Sequence, residues 1–293
     1  MNVWVAGIIV AIVASTVYSY HRQVSFSIVV AVVCVASFAV LLASSGSTYY
    51  RGSETMDQLW FMPHDLTDAS RFYTVLTSMY THAGIFHLMF NVLGIVFIGA
   101  AFEQRIGTRP YILLYFLTGL CGTLVYAAFN WWETWAAVVG ASGAIFGVMG
   151  AFVRMFPQER MSLIVGILPL PPMPLWVIVS GFVALQILFL GGTSLIAVEA
   201  HMGGFIAGLL LAPLVVRLPL HRRVRRMVSQ SALKRLATTP ELKSIMRRIE
   251  AEEIPDVRSA WIEHFLSRAK CPECGARLKA RKEGVMCERG HML

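Results

Sequence analysis

Apolar residues fill the first three quarters of the chain in long blocks, and polar positions fall mainly between the blocks. A helix needs about 20 mainly apolar residues to cross the hydrocarbon core of a bilayer. Seven blocks come near that length: 3–20, 24–43, 85–102, 111–129, 140–156, 173–190 and 193–216. Beyond residue 216 the pattern gives way to short, cation-rich stretches. The pattern predicts an all-α polytopic membrane protein with a small polar tail. The first block has no basic segment ahead of it and a second block follows at once, so it reads as a retained span and not as a cleaved signal.

Composition agrees. Of 293 residues, 56% are hydrophobic and 14% charged, and the mean hydropathy of +0.63 excludes an ordinary soluble enzyme. Eighteen of the 25 Lys and Arg and nine of the 17 Asp and Glu fall in residues 217–293, so the tail carries +9 and the rest −1. Cations between the blocks (His21 and Arg22, Arg105 and Arg109, Arg154 and Arg160, and LHRRVRR at 220–226) lie on one side of the predicted topology. The positive-inside rule makes that side cytoplasmic. The N-terminus and the loops at 44–84, 130–135 and 191–198 are then outside, and the C-terminus is inside a cell membrane. The arginines at 222–226 suit anionic lipid at the membrane surface better than nucleic acid.

The stretch VVGASGAIFGVMG at 138–150 places Gly140, Gly143, Gly147 and Gly150 at spacings of three, four and three, one stripe of a helix. In EAHMGGFIAG, Ala200, Gly204 and Gly208 repeat every four. Small residues let helices approach closely in lipid, where no hydrophobic force draws them together. Taken alone, such stripes are packing motifs. Each carries a polar residue, however: Ser142 on the first and His201 on the second. Close packing would set a hydroxyl beside an imidazole, a nucleophile with its base. THAGIFHLMFN adds His87 and Asn91, four apart on one helical face, with His82 a turn earlier; both are donors able to hold an oxyanion. Glu199 lies about 200° around the helix from His201, so no acid completes a triad and a dyad is the economical arrangement.

These residues resemble the rhomboid family of intramembrane serine proteases. The motifs that carry the resemblance are HAGIFHLMFN at 82–91, the EQR at 103–105, GASGAIFG at 140–147 and AHMGGFIAG at 200–208, in the family's order. The resemblance implies a six-helix rhomboid core, placed at 23–218, and the first apolar block then stands as an extra transmembrane helix at 1–22. The extra helix is not part of the family's core, and its placement before that core is unusual. The resemblance implies Ser142 as nucleophile, His201 as general base, and His87 and Asn91 with the Ser142 N–H as oxyanion hole. Glu103, Arg105 and Arg71 match scaffold positions. The substrates would be transmembrane helices of other proteins, cut near their outer ends after local unwinding. Phe146 stands where many members have tyrosine, and Ser70 where they often have tryptophan. The segment DQLWFMPHDL reads as interfacial, lying beside the core.

The tail divides into a basic helical connector at 219–270, with Thr239 and Pro240 opening one helix and Pro255 and Asp256 another, and a zinc-ribbon-like module at 271–293. The ending CPECGARLKARKEGVMCERGHML holds C-x2-C, twelve residues, then C-x3-H. Cys271, Cys274, Cys287 and His291 at that spacing suit tetrahedral Zn²⁺ in a structural role. Catalysis needs no cofactor. Cys34 and Cys121 read as apolar packing residues. Two other functions compete with the protease: an inactive relative that binds client helices, and a membrane-tethered zinc ribbon that binds a partner or nucleic acid.

Overall fold

The computed structural model describes residues 2–45, 53–162, 164–165, 168–169, 171–186, 197–218, 230–252, 255–281 and 284–292. The chain forms two compact units, Met1–Leu218 and Pro219–Leu293. The first is built from helices α1 (Val3–Arg22), α2 (Phe26–Ser45), α3 (Ile85–Ile106), α4 (Thr108–Phe129), α5 (Ser142–Met155), α6 (Leu175–Leu185) and α7 (Val198–Arg217). Five of these are long and apolar enough to cross a membrane, and α5 and α6 are shorter. The protein is therefore a mostly helical, multi-pass membrane protein. Several boundaries differ from the sequence expectation: α3 runs on to Ile106, α4 starts at Thr108, and α5 starts at Ser142 instead of residue 140. The expected end of the sixth block and the turn at 191–198 lie largely outside the described residues.

Local chemistry sets the helix ends. The Asn2 side chain accepts from the Val5 N–H at 3.0 Å and so caps α1. Asn2 also donates from its Nδ2 to Thr55 Oγ1, at 3.0 Å, which ties the start of α1 to the segment that precedes α3. The start of α2 is capped from a distance. Glu103, near the end of α3, is buried, and its carboxylate accepts from the N–H groups of Phe26 (2.6 Å) and Ser27 (2.8 Å) and from the hydroxyls of Ser25 and Ser27. A negative charge at a helix N-terminus also meets the favourable end of its dipole. Arg105 turns elsewhere: it donates to Ala101 O and pairs with Glu159. Between His87 and Glu103, α3 contains a π-helical stretch at Ile95–Gly99, a local widening of the helix that changes the register of the faces on either side.

Glycine decides the packing of α5 on α7. A Cβ at Gly204 would overlap the carbonyl oxygen of Gly143, and one at Gly208 that of Gly147. A Cβ at Gly150 would overlap the Phe205 carbonyl. Backbone meets backbone along the whole seam, as the two small-residue stripes predict. Gly140 is the exception. It lies outside the helix, in a turn with φ +113°, so its freedom serves the entry into α5 and not the stripe.

The segment leading into α5 is held by residues between α2 and α3. Phe61 and Val138 exchange both backbone hydrogen bonds, at 3.2 and 2.9 Å, and the Gly140 N–H donates to Ser78 O at 2.8 Å. Phe61 is fully buried. Within DQLWFMPHDL, Phe61 packs with Tyr126, Ala127 and Ala200 in one buried cluster. Arg71, in the same region, donates from Nε to Asp65 Oδ1 at 3.0 Å and from Nη2 to Asp57 O at 2.9 Å.

The second unit contains α8 (Gln230–Leu236), α9 (Pro240–Ala251), α10 (Pro255–Arg268) and an antiparallel hairpin, β1 (Leu278–Arg281) with β2 (Gly284–Cys287). Thr239 caps α9 by accepting from the Leu242 N–H at 3.2 Å. One apolar cluster runs through the unit, from Leu233 and Ile249 through Phe265 to Leu278 and Val285.

Candidate active site

Ser142 is the first residue of α5, and the first helical hydrogen bond there is from the Ile145 N–H to Ala141 O, at 3.0 Å. The N–H groups of Ser142 and Gly143 thus belong to the unbonded first turn, at the positive end of the helix dipole. Gly143 and Gly204 bring α7 so near that His201 Nε2 lies 2.6 Å from Ser142 Oγ. Phe146, one turn into α5, stacks on the imidazole with ring centroids 4.5 Å apart and planes 5° from parallel. His201 is buried. Its two faces of contact, the Ser142 hydroxyl and the Phe146 ring, come from the same helix four residues apart, as the helical period requires.

His87 reaches the site from α3. A Cβ on Gly140 would stand 2.6 Å from His87 Nε2, so the imidazole lies directly against the turn that precedes Ser142. The Ala83 N–H approaches His87 Nδ1 at 3.4 Å. Asn91 is buried one turn further along. Its Nδ2 donates to the His87 carbonyl at 2.8 Å, while its Oδ1 is buried without a hydrogen-bond partner. His82 is fully buried with the Asn91 side chain beside it, and its ring meets that of His87 edge-on, with centroids 5.2 Å apart. Glu199 makes no hydrogen bond to His201, whose ring nitrogens face Gln186 and Ser142.

The sequence reading did not include Gln186. Its Oε1 lies 2.7 Å from His201 Nδ1, opposite the nitrogen that faces Ser142. The available signal was a lone amide side chain within the apolar run VALQILFL, which in lipid needs a partner on another helix.

In the second unit, Cys271, Cys274, Cys287 and His291 present ligand atoms that all lie within 4.8 Å of one another, a cluster that could hold a metal ion. Cys274 Sγ and Cys287 Sγ are 3.7 Å apart, as are Cys271 Sγ and His291 Nδ1. Thiolates bonded at about 2.3 Å to a tetrahedral ion are separated by about 3.8 Å, so the donor set fits such an ion. Cys271 with Cys274, and Cys287 with His291, each sit in a turn that includes a glycine in the left-handed region, Gly275 at φ +68° and Gly290 at +91°. The Gly275 N–H returns to Cys271 O at 2.8 Å, and the His291 N–H points at Cys287 Sγ at 3.3 Å. Burial opposes ionisation of the Cys271 thiol, but hydrogen bonds from the Glu273 backbone and His291 outweigh it and bring it down to about 7.

Comparison with known proteins places these observations in a family. The rhomboid domain matches residues 69–218, a stretch that holds Ser142, His201, His87 and Asn91. Rhomboid protease GluP of Bacillus subtilis is 29% identical over 61% of this chain and 32% of its own length. Rhomboid-like protease 3 of Toxoplasma gondii is 31% identical over 47% of this chain and 49% of its own. Inactive RHOMBOID-like protein 8 of Arabidopsis thaliana is 30% identical over 32% of this chain and 26% of its own. The chain thus spans a third to a half of the first two relatives. A bundle of membrane-length helices, two glycine stripes whose seam brings a serine to a histidine, and a domain match covering half the chain have one common account: this protein belongs to the rhomboid family.

Proposed function

We propose that this protein is an intramembrane serine endopeptidase that cuts transmembrane helices of other proteins near their outer ends. The observation that supports this most is the 2.6 Å approach of His201 Nε2 to Ser142 Oγ. In this reading His201 Nε2 takes the Ser142 proton as Oγ attacks the scissile carbonyl, and returns it to the leaving amine. A water molecule then hydrolyses the acyl-enzyme by the same route in reverse. The developing oxyanion is met by the free N–H of Ser142, by His87 against the Gly140 turn, and by Asn91. Asn91 enters that role when its amide leaves the His87 carbonyl. A helical substrate hides its scissile bond in its own hydrogen bonds, so small or helix-breaking residues near the cut are the preferred sequence.

The N-terminus and the Ser142 entrance lie outside the cell membrane and the tail inside, as the cation distribution asks. The extra N-terminal helix, the six-helix core, the basic connector and the ribbon are the working parts. The four-residue cluster holds Zn²⁺ in a closed, purely structural site. Lipid headgroups are the partner for the basic tail.

The test is labelling with a fluorophosphonate in detergent together with cleavage of a single-span substrate. Ser142→Ala abolishes both, and His201→Ala abolishes or nearly abolishes both. An unlabelled Ser142 in folded protein, with no cleavage of several helix-destabilised substrates, replaces the protease with a client-binding relative. Loss of function on deleting 219–293, with Ser142→Ala silent, replaces it with a tethered zinc ribbon.

A further inference from the structure

We infer that Gln186 is a positioning residue that sets the tautomer and the plane of His201, an inference that rests on the protease reading above. Gln186 closes α6, and its Oε1 faces His201 Nδ1 at 2.7 Å while Ser142 Oγ faces Nε2 at 2.6 Å. A neutral imidazole has a single ring proton to place. An amide oxygen beside Nδ1 accepts that proton in a hydrogen bond, so Nε2 carries a lone pair and can accept from the Ser142 hydroxyl. The opposite tautomer would present an N–H to Ser142 and could not remove its proton. Selection of the tautomer is the part an aspartate plays in soluble serine proteases. Here a neutral amide performs it without placing a carboxylate among apolar helices, where an unpaired charge is costly.

The surroundings support the assignment. An amide within an apolar helix is unfavourable unless it is hydrogen-bonded, and among the described residues Gln186 finds a partner on α7 in His201. The Phe146 ring holds one face of the imidazole, and Gln186 holds the edge, so rotation about the His201 side chain is restrained in both senses. Among the described residues, His87 on α3 is the titratable group that acts on His201 from another element. Glu199, on the same helix, makes no hydrogen bond to His201, whose two ring nitrogens face Gln186 and Ser142. Ser142, Gln186 and His201 come from three different helices, α5, α6 and α7, so a displacement of the end of α6 that separates Oε1 from Nδ1 removes the tautomer bias while leaving Ser142 and His201 in contact.

The experiment uses the full-length protein in detergent with a single-span substrate. Gln186→Leu keeps the volume and removes the acceptor. We expect kcat and the rate of Ser142 phosphonylation to fall about 10- to 100-fold, less than the loss on removing a triad aspartate, with KM changed less than about twofold. Gln186→Glu keeps the acceptor and adds charge. A carboxylate there favours the imidazolium form, so the acidic limb of kcat/KM moves to higher pH by about one unit, and above that limb kcat recovers relative to Gln186→Leu. If Gln186→Leu labels at the wild-type rate and the acidic limb of Gln186→Glu does not move, the positioning role is wrong even though Ser142→Ala is inactive. If Gln186→Leu does not fold, the pH limb of Gln186→Glu decides alone. Cleavage that persists in Ser142→Ala instead removes the protease reading itself, and this inference with it.

Discussion

Gly204 on α7 lies against the carbonyl oxygen of Gly143 on α5, with no room for even a methyl group between them. The contact sits one residue after Ser142 and three after His201, so the helix seam and the candidate site are the same piece of structure. In lipid this seam gains nothing from burial of apolar surface and depends on close van der Waals fit.

Alanine at Gly204 or Gly208 should therefore separate α5 from α7. Overpacking costs about 1–3 kcal/mol in ordinary cores, and backbone neighbours cannot rotate aside, so the upper end is expected, with loss of Ser142 labelling. A methyl at Gly181 on α6 meets open space. Gly181→Ala should be neutral or gain up to about 1 kcal/mol from helix propensity. Thermal unfolding in detergent, read beside phosphonate labelling, tests the contrast.

Glu103 should matter for folding and not for chemistry. Its carboxylate satisfies two backbone N–H groups and two hydroxyls at the start of α2. Glu103→Ala leaves those donors buried and unpaired, a loss of about 3 kcal/mol or more. Glu103→Gln retains one acceptor oxygen and should lose less. Both variants should show lower Tm, with kcat per labelled Ser142 unchanged in the folded fraction.

Asp57 offers a pH test outside the membrane. Desolvation raises its carboxyl above the usual value, and Arg71 offsets this only in part. A raised acid pKa in the folded state destabilises the fold wherever the group is ionised, and the penalty is relieved as pH falls through the folded pKa. Asp57→Asn should thus raise Tm slightly at pH 7, and the difference from wild type should close as pH enters the carboxylate range. A gain that persists unchanged at low pH would show that charge is not its cause.

The tail site should load with metal independently of the protease. Purified protein is expected to carry about one zinc per chain by elemental analysis. Cys271→Ser with Cys274→Ser should abolish it and increase amide exchange in residues 255–292, because metal binding and folding are linked in such modules. Cleavage in detergent should survive the double substitution and chelators alike. Chelation that stops cleavage but spares the fold would point to metal chemistry at His82, His87 and His201.

The chain order of apolar blocks, the two small-residue stripes and the spacing of the clustered Cys271, Cys274, Cys287 and His291 were all legible in the sequence. Each is a local property: a helix spans lipid by its length, and its faces repeat with a fixed period. The approach of Ser142 to His201 was legible for the same reason, because each rides on a stripe that can pack in essentially one way. Other features were decided only in three dimensions. Glu103 caps a helix that begins more than 70 residues earlier, Gly140 leaves the stripe to form a turn, Phe61 pairs with Val138, and Gln186 meets His201. Hydrogen bonds are directional and short, so their partners follow from which helix ends come together and at what depth. No local period encodes that, and a lone glutamine in an apolar run looks the same whether it faces a histidine or its own backbone.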